Sequence, residues 1–480
     1  MSNKGLKGKF IGNILYAFSA QLISLIVSLL LSLVVPKFLG VKDFAYWQLF
    51  IFYTNYVNIA QFGLIDGIYL RLGGKKYKDL DFSILKSQYI VFSIIQILIC
   101  FFISALSVFI VKDASKILVF IGVGIYLFIY NSSRFFGFIF QAVNETKLFS
   151  ITSMIDRIIV LLLGVILIFQ NNIRWYYFMI IYITGIGISL IYSIYHGKEI
   201  FFEKNKQKLG IVIREMVLNC SIGLNLMISN LASNLIIGSG RQFIEWHWGI
   251  ETFGRVSFSL SMTSFFLVFI NQVSLVMFPA LRQVSSEEGK IIFKKIEKGF
   301  SLISPIVYAI YIPASFILMK WLPQYKSSLE YLMILMPICV FDGKMQMLYN
   351  TFMKVYRKEK TLLMVNVICV FLSVLVSIIS VFIFNSIYTL LIGLVIVIIF
   401  RSILSNNLLC NHLSLNKSKN IIIDVLFAIS FILLTVFANK LIAEISIITL
   451  YLTYLYFNRD YLFGIIGEKN ENNSSSSNEA

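Results

Sequence analysis

Long apolar runs recur along the chain, each about as long as a bilayer is thick and separated from the next by a short polar turn. A membrane-spanning helix takes about 20 apolar residues. Fourteen segments meet that length: 10–35, 44–70, 84–111, 117–143, 149–169, 175–196, 215–240, 253–278, 299–321, 329–353, 361–383, 387–407, 420–438 and 442–463. The pairs 361–383/387–407 and 420–438/442–463 are joined by very short turns, so the alternative is twelve spans. The first run, from Phe10, is too long for a cleaved signal peptide and is expected to stay in the protein. The Asn-, Ser- and Glu-rich tail, 468–480, is expected to be disordered.

Composition agrees with the pattern. Of 480 residues, 58% are hydrophobic and 14% charged, with a mean hydropathy of +0.83. A soluble chain so apolar has too few polar side chains to cover its surface. The predicted fold class is all-α: a polytopic membrane protein of about 14 transmembrane helices.

Charge then orients the chain. Lys and Arg number 41 against 24 acidic residues, a net +17. On a soluble protein this excess suggests nucleic acid; in a membrane protein it marks cytoplasmic loops, and no nucleic-acid partner is expected. With the N-terminus placed inside, 28 Lys and Arg fall on the cytoplasmic side and 10 outside. Both termini are therefore predicted to be cytoplasmic. No loop between spans is long enough to fold as a domain, which weighs against a membrane enzyme that carries its site outside the bilayer.

A short repeat divides the chain. Residues 39–46 read L-G-V-K-D-F-A-Y and residues 248–255 read W-G-I-E-T-F-G-R. Gly40 aligns with Gly249, Val41 with Ile250, Phe44 with Phe253 and Ala45 with Gly254. Six spans separate the copies. An even number means both halves enter the membrane in the same direction, as in a parallel repeat. The expected organisation is a six-helix bundle over 1–208, a second over 209–410, two extra helices over 411–467 and the tail.

Several chemistries drop out. No GxxxxGK[ST] motif occurs, so no nucleotide-driven motor is expected. The three histidines are dispersed and the five cysteines form no CxxC pair, so neither a metal site nor a disulfide framework is expected. Asp79-Leu80-Asp81 is a DxD, but it lies in a short loop with no domain to hold a nucleotide sugar. No catalytic residue and no resident cofactor are expected, and the protein is not read as an enzyme.

Polar residues inside the apolar runs are the informative ones, because a charge at mid-bilayer is costly and usually faces a cavity or a partner. At helical spacing they form stripes. Helix 1 aligns Asn13, Gln21, Ser24, Ser28 and Ser32; helix 2 aligns Asn55, Asn58, Asp66 and Tyr69; helix 4 aligns Asn131, Arg134, Gln141 and Glu145. In the second half, helix 7 aligns Asn219, Asn230, Asn234 and Arg241, with a Gly238-Ser239-Gly240 break expected before the Arg. Helix 8 aligns Ser257, Ser261, Ser264 and Asn271, and helix 10 aligns Asp342, Gln346, Tyr349 and Asn350. One such residue alone is as well read as glue between helices. Six stripes in equivalent helices of two halves favour a shared polar cavity. Its charges are Arg134, Arg241, Arg255 and Lys344 against Asp66 and Asp342, which suits an anionic or phosphorylated cargo. Arg157 beside Asp156, and Arg401 and Asp424, are read as snorkelling or local pairing near helix ends.

These features resemble Wzx-type polysaccharide flippases of the multidrug/oligosaccharidyl-lipid/polysaccharide (MOP) exporter superfamily. The resemblance rests on the span count, the two six-helix repeats, G-V-K-D-F-A-Y and G-I-E-T-F-G-R, F-Q-A-V-N-E-T-K at 140–147 and L-A-S-N-L-I-I-G-S-G-R at 231–241. It implies a V-shaped pair of bundles around a central cavity in a bacterial cytoplasmic membrane. It also implies a cargo of undecaprenyl-pyrophosphate-linked oligosaccharide for capsular or surface polysaccharide, and other polysaccharide-assembly proteins as partners. It implies cationic lumen residues as well, for which Arg134, Arg241 and Arg255 are the positional candidates. On this reading Arg134, Arg241, Arg255 and Lys344 meet the anionic linkage, while Asn55, Asn58, Asn230, Asn234 and Gln346 bind sugar. Asp66 and Asp342 are the candidates for a coupled H⁺ or Na⁺. The rival readings are a drug or metabolite exporter of the same superfamily, which would want acidic cavity residues for a cationic cargo, and a polymerase or ligase.

Overall fold

The computed structural model describes residue 19 and residues 22–461, apart from 171, 205–206, 283, 417–419 and 460. Among these residues no strand occurs. Where they are described, the fourteen apolar runs are mainly helical, and among the described residues ten helical stretches are long and apolar enough to cross a membrane. The first-helix stripe is only partly visible, because Asn13 and Gln21 lie outside the described residues.

The first half contains α1 (Leu22–Phe38), α2 (Val41–Thr54), α3 (Leu64–Leu72), α4 (Phe82–Ile110), α5 (Ala114–Ala142), α6 (Thr146–Ile168) and α7 (Trp175–His196). Polar residues at the starts set several of these ends. The Asp81 side chain accepts from the backbone N–H of Ile84 at 3.0 Å, and Asp113 accepts from that of Ser115 at 2.8 Å. Such caps satisfy donors that a helix leaves open at its first turn. The DxD is thereby accounted for: Asp81 caps α4, and Asp79 closes a short 3₁₀ turn.

The second half begins with a helical stretch, Leu209–Leu281, broken at Gly249, whose φ of +83° favours glycine. It gives α8 (209–248) and α9 (250–281). Then follow α10 (Ser286–Ile303), α11 (Ile306–Trp321), α12 (Lys326–Lys344), α13 (Asn350–Val355), α14 (Glu359–Phe382) and α15 (Ile387–Leu413). Finally α16 (Asn420–Phe437) packs on α10 and α12, and α17 (Lys440–Phe457) packs on α16 and α11. Within the first half α4 packs on α5, α5 on α7, and α6 on α7. Within the second, α8 and α9 pack on α12 and α14, and α15 packs on both of those.

The second apolar run is not one helix. It is broken between α2 and α3 by a 3₁₀ turn, Val57–Gln61, then by Phe62 and Gly63, both at positive φ (52° and 77°). Two buried amides from neighbouring helices hold the break. Asn131 Nδ2 donates to the Val57 carbonyl at 3.1 Å, and Gln96 Nε2 donates to that of Ala60 at 2.7 Å. Backbone groups left open in a dry interior have to be satisfied in this way. The expected break at Gly238-Ser239-Gly240 does not occur; α8 runs straight through it. Gly238 is instead a point of close approach, where a Cβ would lie 1.7 Å from the Tyr56 hydroxyl of the first half.

The halves touch at two levels. At one end Gly63 and Gly67 meet α8 so closely that a Cβ on Gly67 would sit 1.9 Å from the Asn219 carbonyl oxygen. Arg71 there donates to Glu215 Oε2 at 2.8 Å and to Asn219 Oδ1 at 2.7 Å. At the other end the two copies of the repeated motif meet: a Cβ on Gly254 would be 2.5 Å from that of Ala45. Phe44 packs edge-on against Phe258 and Tyr325, and Phe253 against Phe52. Lys116 pairs with Glu245, and Tyr53 donates to Gln242 at 2.9 Å.

Candidate functional site: a polar cavity between the halves

Between these two levels lie two adjoining chambers of about 300 and 270 Å³. They share Asn55, Tyr56 and Asn234 as a common wall. Asn55 caps the end of α2 and Asn58 lies in the 3₁₀ turn that follows it. The first chamber adds Asn58, Gln61, Asp66, Tyr130, Arg134 and Asn230. The second adds Ser233, Arg241, Asp342, Gln346 and Arg401.

Each chamber holds a guanidinium with no carboxylate in ion-pair contact among the described residues. Arg134 comes from α5 and lies over the rings of Tyr130 and Phe149, at 5.0 and 5.8 Å from their centroids. Arg241 comes from α8 and lies between the rings of Phe52 and Phe253, at 4.8 and 5.0 Å, with Nη2 donating to Ser257 Oγ at 2.8 Å. Its buried Nε has no acceptor among the described residues. Ring faces attract a cation without neutralising it. Desolvated charge without a counter-ion is costly, and an anionic ligand would relieve that cost.

Of the remaining cavity charges, Asp342 and Arg401 pair with each other. Asp342 Oδ1 accepts from Arg401 Nη1 at 3.1 Å, and Oδ2 accepts from Gln346 Nε2 at 2.6 Å. Arg401 also donates to Asn366 Oδ1 at 3.0 Å and Ser233 Oγ at 2.9 Å. Asp66 accepts from Gln61 Nε2 at 3.1 Å and makes no ion pair with Arg134.

Family membership follows from the sequence of this same cavity-forming region. A family model described as "Polysaccharide biosynthesis protein" matches residues 10–285, which include the break after α2 and all of α8 and α9. The chain belongs to the polysaccharide biosynthesis protein family. No curated protein matches it by sequence. Solved structures that resemble this family member include the lipid II flippase MurJ in an inward closed conformation, at 16% identity and a TM-score of 0.61, covering 94% of this chain and 100% of that one. A multidrug-resistance MATE transporter of the MOP superfamily, inward-facing, matches at 12% identity and a TM-score of 0.61, covering 83% and 98%. A MOP-superfamily transporter from Pyrococcus furiosus matches at 13% identity and a TM-score of 0.50, covering 84% and 94%. At such identities the likeness is one of fold. The chain is a multi-pass membrane protein with the MOP-transporter fold, and family and fold together support a membrane flippase or exporter.

Of the site residues expected in this polysaccharide biosynthesis protein, the fold brings nine to the cavity wall: Asn55, Asn58, Asp66, Arg134, Asn230, Asn234, Arg241, Asp342 and Gln346. Two are elsewhere. Lys344 is fully buried on the far side of α12 and pairs with Asp424, so it is not a cavity cation. Arg255 belongs to the Tyr325 end, where Nη1 donates to Ser327 Oγ at 2.8 Å. Conversely Arg401 does not snorkel. Its helix continues to Leu413, which places it well inside, on the wall. Local pairing does hold for Arg157, 3.9 Å from Asp156, and for Asp424 with Lys344. Some stripe members are scaffold: Asn131 and Asn219 bind protein groups, and Ser257 holds Arg241. The wall residues Tyr56, Tyr130, Gln61 and Ser233 are not among those the stripes point to. Tyr130 precedes Arg134 by one helical turn, a spacing that would have paired them.

Proposed function

We propose that the protein is a flippase that moves an undecaprenyl-pyrophosphate-linked oligosaccharide from the cytoplasmic to the outer leaflet of a bacterial cytoplasmic membrane, for capsular or surface polysaccharide synthesis. The observation that carries this reading is the pair of guanidiniums, Arg134 and Arg241, that make no ion-pair contact among the described residues, in chambers whose other polar lining is amides, hydroxyls, Asp66 and the Asp342–Arg401 pair. Arg presents a planar fork suited to phosphate oxygens. Asn55, Asn58, Asn230, Asn234 and Gln346 suit sugar hydroxyls, with donors and acceptors on one side chain. The prenyl tail stays in lipid. An apolar recess of about 540 Å³ between α1 and α9, α11 and α12 offers it a path at the junction of the halves.

Movement is alternating access. In this reading residues 1–208 and 209–410 rock as two bundles about the shared wall, opening the Arg71–Glu215 contact and the Ala45–Gly254 contact in turn. Glycine at positions 63, 67 and 254 lets backbones meet closely enough to seal. Asp66 and Asp342 are the proposed carriers of a coupled H⁺ or Na⁺. Both termini are assigned to the cytoplasm on the charge asymmetry; a reporter inserted after Lys208 should read cytoplasmic and one near Gln324 external, and the reverse would invert the direction of transport.

The functional test replaces Arg134 and Arg241 by Lys and by Gln and follows outward transfer of the lipid-linked oligosaccharide at matched membrane levels. A charge-assisted contact is typically worth about 1.5–3 kcal/mol, or roughly 10- to 150-fold in affinity. Lys should retain part of the transfer and Gln should lose most of it. Full transfer with Gln at both positions would remove the role in binding the anionic linkage.

A further inference from the structure

The end of α12 carries two ion pairs facing opposite ways. Asp342 points into the cavity, toward Arg401 and Gln346. Two residues on, about 200° around the helix, Lys344 points away from it. Its ammonium donates to Ser301 Oγ of α10 at 2.6 Å and pairs with Asp424 of α16, and both members of that pair have fully buried side chains. Ser301 in turn donates to Asp424 Oδ2 at 3.3 Å.

Immediately after Lys344 the helix loosens into a π-helical turn, Met345–Tyr349. The Gln346 carbonyl accepts from Thr351 Oγ1 at 3.2 Å and from Ser274 Oγ of α9 at 3.4 Å. A π turn holds one more residue than an α turn, so it rotates the helix on its N-terminal side relative to the helix on its C-terminal side. Gln346 stands at the start of the Met345–Tyr349 turn, one helical turn beyond Asp342 on the same face, and its amide reaches Asp342. Single π turns inside α-helices are frequent at functional sites. A buried ion pair adds little stability over a well-packed apolar pair, so stability alone is a weak reason for this one. Its best-attested use is to fix register.

We propose that the Lys344–Ser301–Asp424 contact sets the register of the π turn and thereby positions Asp342 and Gln346 in the cavity. Lys344 and Asp424 are positioning residues. The helix α16, which lies outside the six-helix repeat, becomes a working part of the site: it clamps the back of the helix whose front forms the cavity wall. Only the transport arm of the test rests on the proposed flippase reading; the exchange arm does not.

The test compares wild type with two variants that leave no single buried charge: the apolar pair K344M/D424L and the swapped pair K344D/D424K. Thermal stability, amide hydrogen exchange over 342–351 and the half-saturating cargo concentration are measured on purified, reconstituted protein. The apolar pair should keep the melting temperature near wild type while exchange over 342–351 quickens about tenfold or more. Its half-saturating concentration should rise several-fold with the maximal rate retained. The swapped pair should return both readouts toward wild type. Wild-type exchange and half-saturation in the apolar pair would overturn the proposal. So would failure of both variants to accumulate, because the contact would then be a folding requirement only. Altered exchange without altered transport would separate a sound register claim from a failed cargo reading.

Discussion

Arg241 and Lys344 are both cations deep within apolar helices, and from spacing alone they are equivalent. Their surroundings make them opposites. Lys344 is sealed on all sides, with a carboxylate and a hydroxyl in direct contact. Arg241 has two ring faces, one serine and an Nε with no acceptor among the described residues, and it borders a chamber of about 270 Å³. A charge in a spanning helix is therefore evidence of a cost that something must offset. In one case the offset is built into the fold. In the other it is left to whatever enters the cavity.

The comparison breaks first on stability. K344M alone strands the Asp424 carboxylate in a dry interior, and removing one member of a buried pair typically costs about 3–5 kcal/mol. The variant should show a large drop in melting temperature and a lower membrane level. An unchanged melting temperature would mean the pair is wetter or weaker than its burial indicates. R241Q should behave in the opposite way. The substitution loses a charge-assisted hydrogen bond worth about 1.5–3 kcal/mol but also removes a desolvation cost of several kcal/mol. Its melting temperature should stay at or above that of wild type. A fall as large as that of K344M would place Arg241 among the structural charges.

The same contrast marks how far residue patterns reach. Helix positions follow from hydropathy, because a spanning segment has to satisfy its backbone internally and has almost no other way to fold. The Gly40/Gly249 correspondence reappears as two motif copies in contact, Ala45 on Gly254. The break at Phe62–Gly63 does not show in the pattern, since residues 44–70 stay apolar enough to read as one span. Asn55, Asn58, Gln61 and Gly63 in close succession are its trace. Lys344 and Arg401 exchange their expected places for one reason. A stripe gives the direction in which a side chain points on its own helix, but only the packing of α16 behind α12, and the extra turns of α15 past 407, decide what it meets. Tyr56 and Tyr130 do not stand out in the sequence, because a ring on an apolar helix looks the same facing a cavity or a neighbour.

The most direct measurement of the central claim is equilibrium binding of a short-chain prenyl pyrophosphate to purified protein, compared with the matching prenyl alcohol, in wild type and in the R134Q/R241Q variant. Wild type should prefer the pyrophosphate, and raising the salt concentration should weaken that preference. The variant should lose the preference, with affinity for the pyrophosphate falling at least about tenfold, while affinity for the alcohol stays as it was. Equal binding of the two ligands by wild type, or an undiminished preference in the double variant, would contradict an anion site built on Arg134 and Arg241.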